Sequence, residues 1–294
     1  MSAVDVILVN WNDADNLIAA LDSVFALPEI TADPDFARVT VSDNGSTDDS
    51  LARVRDRYVS RVQIIENGRN LGFAAGVNRA VARTHAPYMF LLNPDATVQP
   101  GALRNLVDFM EEHPRCALAG PKIYEADGSI AESCGQFDTW GGAFLRSSAW
   151  GEWPWFRQFA NAAELRRWDY SNERKVDLLI GAALMLRRSI FDALGGFDEL
   201  FFMYHEEVDL AKRVNDAGYE AWFVPSARAT HSGQGSSGGR GVEAYKQRSR
   251  RKYWVKHHGR LWYYSLSAAL MGRYLLYLAL LGGAAVAVRR WAMR

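Results

Sequence analysis

The stretch "MFLLNPDATV" at residues 89–98 runs four apolar residues straight into Asn93-Pro94-Asp95. Proline fixes φ and has no backbone N–H, so the triplet ends the apolar run and turns its polar side chains outward. Asn, Pro and Asp are also common turn formers, so the triplet acquires chemical meaning only in company. A carboxylate at Asp95 beside Asn93 suits a divalent cation such as Mg²⁺ or Mn²⁺, a hard ion that takes oxygen ligands and bridges substrate phosphates. His231, in "ATHSGQG", is a candidate further ligand, set against the plain alternative of a loop histidine. A second group, Glu206, Glu207 and Asp209, follows directly after "FFMYH". Carboxylates in a first helical turn are stabilised by the helix dipole. Three of them exceed what capping requires, and one held against an apolar wall gains a raised pKa and can act as a general base.

The elements that must position these residues are read from periodicity. "VDVILVN" (4–10), "RVTVSDN" (38–44), "VQIIEN" (62–67) and "YMFLLN" (88–93) have the β-branched and aromatic content of strands. Between them, 15–26, 48–58 and 74–84 have helical spacing. The alternation predicts an α/β fold with a mostly parallel sheet covered by helices on both faces. In such a sheet Asn10 and Asn12, Asp43 and Asn44, Asn70 and Gly72, and Asn93 and Asp95 all fall at or after carboxyl ends, so they converge on one rim and form a pocket for a polar ligand. Farther on, 117–124 and 176–187 read as strands, 207–217 as a helix, and 221–225 as the last core strand ahead of a glycine-rich loop. The segment 135–175 is irregular and dense in tryptophan (Trp140, Trp150, Trp153, Trp155, Trp168), rings expected mainly to pack, with a few exposed.

Composition narrows the class. The 294 residues, 49% hydrophobic, are enough for a large core. Two cysteines without metal-ligand spacing point to a reducing compartment, and the start of the sequence reads as a strand rather than a secretory signal. The net charge of zero hides an asymmetry: no acidic residue follows Glu243, whereas eleven Lys and Arg do, leaving 23 basic against 34 acidic residues, net −11, over 1–243. A basic tail seeks an anionic partner, and its apolar content favours a membrane surface over nucleic acid. Tyr274–Val288 carries no charge but falls short of spanning length, which predicts a helix or helical hairpin lying in the membrane face, against the alternative of a helix packed on the core. Residues 1–240 hold no spanning segment. The first strand–helix junction, "NWNDADN", has neither a dinucleotide fingerprint nor a Walker loop, and it lacks the Gly- and Arg/Lys-rich loop of a nucleotidyltransferase.

The ordered set "VNWN", "VSDNGSTDDS", "NLGFAAGVN", "LLNPDA", "GAALMLRR", "LGGFDELFFMYHEEVDLAKRV" and "ATHSGQ", spanning about 4–233, resembles family-two inverting glycosyltransferases of the GT-A fold. Within them the chain is most similar to the rhamnosyltransferases of bacterial cell-surface polysaccharide synthesis. The resemblance implies a GT-A domain over 1–242; the charge and apolar pattern of 243–294 adds the expectation of a helical, membrane-associated tail at the cytoplasmic face of the cell membrane. It implies transfer of rhamnose or a related hexose from a nucleotide sugar, dTDP-rhamnose among the candidates, to a lipid-linked or polysaccharide hydroxyl. By residue, it places Asn10 and Asn12 in the nucleotide pocket, Asp43 and Asn44 at the base, Asn70 and Gly72 by base and ribose, and Asn78 in that wall. Asn93-Pro94-Asp95 occupies the Asp-x-Asp position, with His231 completing the metal site, and the acidic pair that holds the base falls on Glu206-Glu207, Glu207 being in register. Two departures stand out: Asn93 replaces the first Asp, and Glu207 is one methylene longer than the usual base. An inactive nucleotide-sugar or carbohydrate-binding homologue is the alternative.

Overall fold

The computed structural model describes residues 2–137, 168–233 and 242–272. The chain divides into two compact units, Met1–Phe137 with Arg167–Arg250 and a second that among the described residues comprises 251–272. The first unit opens with a repeated strand–helix pattern: β1 (Val4–Asn10), α1 (Ala14–Phe25), α2 (Pro28–Ala32), β2 (Ala37–Asp43), α3 (Ser50–Tyr58), β3 (Val62–Glu66), α4 (Phe73–Val81) and β4 (Tyr88–Leu92). It continues with β5 (Ala96–Val98), α5 (Ala102–Glu112), β6 (Cys116–Glu125), β7 (Cys134–Gly135), β8 (Arg174–Val176), β9 (Leu178–Leu179) and β10 (Ala183–Arg187). After these come α6 (Arg188–Ala193), α7 (Glu206–Asp216), β11 (Glu220–His231) and α8 (Val242–His258), the last continuing into the second unit.

β1 shows why the sheet is central. Its apolar run is buried on both faces, as a strand covered from both sides requires. Val4, Val6 and Leu8 face one core with Leu17, Leu21, Leu103 and Leu106 of α1 and α5. Ile7 faces the opposite core with Ala74, Val77 and Leu210 of α4 and α7. That split is the period-two alternation of a strand.

The described strands form a nine-stranded sheet in the order β3-β2-β1-β4-β10-β6-β11-β5, with β8 also paired to β11. It is parallel from β3 to β4 and again between β6 and β11; β10 pairs antiparallel with both β4 and β6, and β5 and β8 pair antiparallel with β11. The expectation of a mostly parallel sheet is therefore corrected to a mixed one. The cause is that 176–187 is not one strand: Val176 ends β8 at the edge beside β11, Leu178–Leu179 pairs with β7 in a separate two-stranded sheet, and after a break at Gly181 Ala183–Arg187 enters beside β4 in reverse sense.

The last strand is likewise longer than the expected 221–225. It passes through Pro225 and reaches His231, with a register shift between Val224 and Arg228 where it runs beside β6. A proline cannot donate to the ladder, so the strand bulges there and re-forms. Of the tryptophan-rich segment, Trp168 is described: it stacks on Tyr170 at 4.4 Å between ring centroids and meets Phe223 edge-on. Trp140, Trp150, Trp153 and Trp155 lie outside the described residues, as does Tyr274–Val288. Among the described residues no helix is long and apolar enough to cross a membrane.

Candidate active site

A cavity of 1110 Å³ opens at the carboxyl ends of β1 and β4. Nine of the residues singled out in the sequence line it: Asn10, Asn44, Asn70, Gly72, Asn93, Asp95, Glu206, Glu207 and His231. Trp11, itself 38% exposed, lines it as well. The volume suits a ligand larger than most drug-sized molecules.

One wall is a chain of side-chain hydrogen bonds. The Asn10 amide donates to Asp43 Oδ1 at 3.1 Å and to the Ser46 hydroxyl at 3.0 Å. Asp43 is 1% exposed, and its carboxylate accepts from the backbone N–H groups of Gly45 and Ser46 at 3.0 and 2.9 Å. It therefore builds the turn behind the wall and is not among the cavity-lining residues. Asn12, held at φ +52°, accepts the Thr47 N–H at 2.7 Å and pins the same turn from outside the cavity. The Asn44 amide donates to Gly72 O at 3.0 Å, and Asn70 Oδ1 accepts the Gly72 N–H at 2.9 Å. Gly72 is required by its surroundings: its φ is +84°, and a Cβ would meet Phe202 O at 2.1 Å. Phe73 N–H donates to the same Phe202 carbonyl at 2.8 Å, tying this wall to the loop ahead of α7.

Asn78 lies elsewhere. Its amide donates to Phe197 O at 2.9 Å and its carbonyl accepts from Phe197 N–H at 3.0 Å, latching α4 to the Gly195-Gly196 turn. Of the three clustered carboxylates, Asp209 is also turned away. It is fully buried and pairs with Arg213 at 2.8 Å, whose remaining N–H groups donate to Leu194 O and Gly196 O. Glu206 and Glu207 remain on the cavity. Glu206 is buried, Glu207 half-buried, and each has an Oε2 without a hydrogen-bond partner among the described residues. Burial raises the pKa of Glu207 and raises that of Glu206 well above the usual carboxylate range, the latter pushed further by the charge of its neighbour. Tyr204 and His205 precede them at φ +66° and +69°, a left-handed pair of side-chain-bearing residues that sets the direction in which α7 starts.

On the same cavity, Asp95 and His231 meet at 3.2 Å, and the hydrogen bond to the carboxylate raises the imidazole pKa. His231 closes β11 rather than sitting in a glycine-rich loop, because β11 pairs His231 with Ala96 of β5 directly after Asp95. Ser232 N–H and hydroxyl donate to Asp95 O at 2.9 and 3.1 Å, fixing this junction. One oxygen and one imidazole donor fit a divalent cation whose other positions are left to ligand oxygens. Among the described residues no third His, Cys, Asp or Glu joins them. What periodicity did not reveal is β5, three residues long, which delivers Ala96 to β11 and so brings Asp95 to His231.

Residues 5–195 match the sequence model of glycosyl transferase family 2. The N-acetylglucosaminyl-diphospho-decaprenol L-rhamnosyltransferase of Mycobacterium tuberculosis is 35% identical over 214 residues, covering 68% of each chain. The Escherichia coli rhamnosyltransferase WbbL is 26% identical over 214 residues, 70% of this chain and 76% of that one. Among solved structures, GalNAc-T7 with UDP, GalNAc and Mn²⁺ superposes with a TM-score of 0.63 at 18% identity, over 87% of this chain and 48% of its own. The mannosyltransferase PcManGT of Pyrobaculum calidifontis, in complex with GDP-Man and Mn²⁺, superposes at 0.56 and 17% identity, over 98% and 82%. These two carry the fold alone. Sequence and fold together make this chain a member of glycosyl transferase family 2, built on the GT-A fold and similar to rhamnosyltransferases.

Proposed function

We propose that this chain transfers a sugar, rhamnose or a related hexose, from a nucleotide-diphosphate sugar to a hydroxyl of a lipid-linked or polysaccharide acceptor, with inversion at the anomeric carbon. The observation that carries this reading is that two groups line one cavity: the Asp95–His231 pair, and Glu206 with Glu207. Glu207, its pKa raised by burial, accepts the proton of the acceptor hydroxyl as that oxygen attacks the anomeric carbon. The nucleoside diphosphate departs from the opposite face, and a single displacement inverts the configuration. No second carboxylate is needed as nucleophile. Asp95 and His231 would hold Mg²⁺ or Mn²⁺, which when bound supplies Lewis-acid neutralisation of charge on the departing diphosphate. The Mn²⁺ named with both solved relatives supports that assignment. The hydrogen-bonded Asn10 and Asn44 hold that wall in shape, and the half-buried Asn70 presents its amide to a nucleoside.

The relative that acts on a diphospho-decaprenol substrate supports a lipid-linked acceptor, and with it a place at the cytoplasmic face of the membrane. The basic tail and the exposed Leu261, Tyr264 and Met271 of the second unit support the same placement. The test of the reading is a panel of nucleotide sugars, dTDP-rhamnose included, with nucleoside diphosphate release and product anomeric configuration as readouts. Release from no donor in the panel would overturn it.

A further inference from the structure

The cavity is poor in positive charge for a site that must hold diphosphates. Five carboxylates line it (Asp13, Asp95, Glu206, Glu207 and Glu243), while among its described lining residues Lys246 is the sole lysine or arginine. Lys246 sits on α8, and one turn on, on the same helical face, stands Arg250. Both are exposed, and among the described residues neither forms an ion pair. Glu243, the nearest acid on α8, instead accepts from Gln247 at 3.1 Å.

This stretch of α8 is fixed against the loop that leads into Glu206. The Ser249 hydroxyl donates to Met203 O at 2.8 Å, Tyr245 stacks on Phe202 at 5.5 Å between centroids, and Lys246 Nζ lies 5.2 Å from the Tyr204 ring centroid. Lys246 and Arg250 stand close enough to His205 that, with burial, their charges help lower its pKa to about 4. The imidazole is therefore neutral at physiological pH and does not stand in for a third cation. Two cations without an ion-pair partner among the described residues thus stand near His205, directly ahead of Glu206 and the proposed base, and Lys246 lines the cavity itself.

We propose that Lys246 and Arg250 form a diphosphate subsite for the acceptor, so that the enzyme recognises a sugar carried on a prenyl diphosphate by its anionic linkage. This deepens the glycosyltransferase reading and rests on it for the word acceptor. Two cations one helical turn apart match two linked phosphates, and hydrogen bonds between charged groups are the strong ones. The acidic cavity makes the selection sharper, since without these two side chains it repels such a substrate.

The test titrates geranyl diphosphate and geraniol into the full chain. Wild type is expected to bind the diphosphate at least about tenfold more tightly than the alcohol, the magnitude of one charged hydrogen bond. The double variant Lys246→Ala/Arg250→Ala should lose that preference, whereas Lys246→Arg/Arg250→Lys should keep it. Affinity for dTDP with Mg²⁺ should stay within about twofold of wild type in both variants, on the same free-energy scale. Equal wild-type affinity for the two prenyl compounds overturns the proposal. So does a matching fall in dTDP affinity, which would assign the cations to the donor. If wild type releases nucleoside diphosphate from no nucleotide sugar, the transferase reading fails by itself, while the prenyl diphosphate subsite is still decided by the titration.

Discussion

Glu206 and Glu207 are neighbours in sequence that the structure treats differently. Glu207 is half-buried and lines the cavity beside Gly181, where a Cβ would sit 3.8 Å from it in ordinary contact. Glu206 is more deeply buried and more strongly shifted. Glu207→Gln keeps the shape and removes the basicity, so turnover should fall by about two orders of magnitude or more while nucleotide binding persists. Glu206→Gln should cost less. A reversal of the two effects in steady-state assays would move the base to Glu206. A base with a raised pKa must lose its proton to work, so the acid limb of kcat/KM should lie above the ordinary glutamate value of about 4.3. Stability should move the other way. A carboxyl that keeps its proton in the folded chain to higher pH than in the unfolded one makes stability fall as pH rises from the unfolded pKa toward the folded one. Glutamine cannot ionise, so Glu206→Gln should raise the melting temperature at pH 8 by about 2 °C or more and change it little at pH 4. Equal shifts at both pH values would exclude ionisation as the cause. In the same cavity, Asp95→Ala should abolish transfer, and excess chelator should do the same to wild type. With a neutral Asn93 beside Asp95, binding of the cation should be weak and exchangeable.

At the scale of elements, the third carboxylate shows that an acidic first turn can divide its labour. Asp209 faces away from the cavity and is fully buried against Arg213, which in turn holds the carbonyls of Leu194 and Gly196. Removing one partner of a buried pair leaves an uncompensated charge, so Asp209→Ala should destabilise the fold by about 3–5 kcal/mol, read from the urea midpoint. That is the opposite sign to Glu206→Gln, three residues away. The sequence could show the cluster but not this division, because which way each carboxylate points depends on where the Gly195-Gly196 turn lands. The strands β1 to β4 were legible because each is a continuous apolar run ended by a polar residue. The second half was not. There β10 reverses direction after a break at Gly181, β5 is too short to show a period, and β11 crosses Pro225 by a bulge that a periodicity reading takes for an end. That bulge matters to the site, since the continuation of β11 past it is what sets His231 beside Asp95. Likewise, Asp43 stood out at a strand end and Asn78 through the family resemblance, yet their hydrogen bonds are spent on a turn and a latch.

At the scale of the whole molecule, charge is unevenly distributed along the chain, and the membrane placement proposed above rests on that asymmetry. Residues 1–243 carry net −11, and every charged residue after Glu243 is basic. An acidic body is repelled by an anionic bilayer while a basic tail is drawn to it, so attraction and orientation come from one asymmetry. Over 242–272 the basic side chains Arg251, Lys252, Lys256 and Arg260 accompany Leu261, Tyr264 and Met271, which are 85%, 54% and 60% exposed. Beyond them, Tyr274–Val288 offers fifteen uncharged residues, fewer than the roughly twenty that span hydrocarbon at about 1.5 Å per residue. Arg273, just ahead of that run, is costly at the bilayer centre and cheap at its surface. These features favour a surface-lying tail, held by apolar burial and by about 1 kcal/mol for each Lys or Arg near anionic headgroups. The full chain should therefore float with vesicles containing phosphatidylglycerol and bind those of phosphatidylcholine alone more weakly. Raising salt to about 0.5 M, where screening shortens the reach of charge to a few ångströms, should remove most of the difference between the two. Binding to both vesicle types with equal strength at every salt concentration would point to insertion by apolar burial alone. A chain that floats with neither would leave the tail packed against the protein and the membrane placement without support.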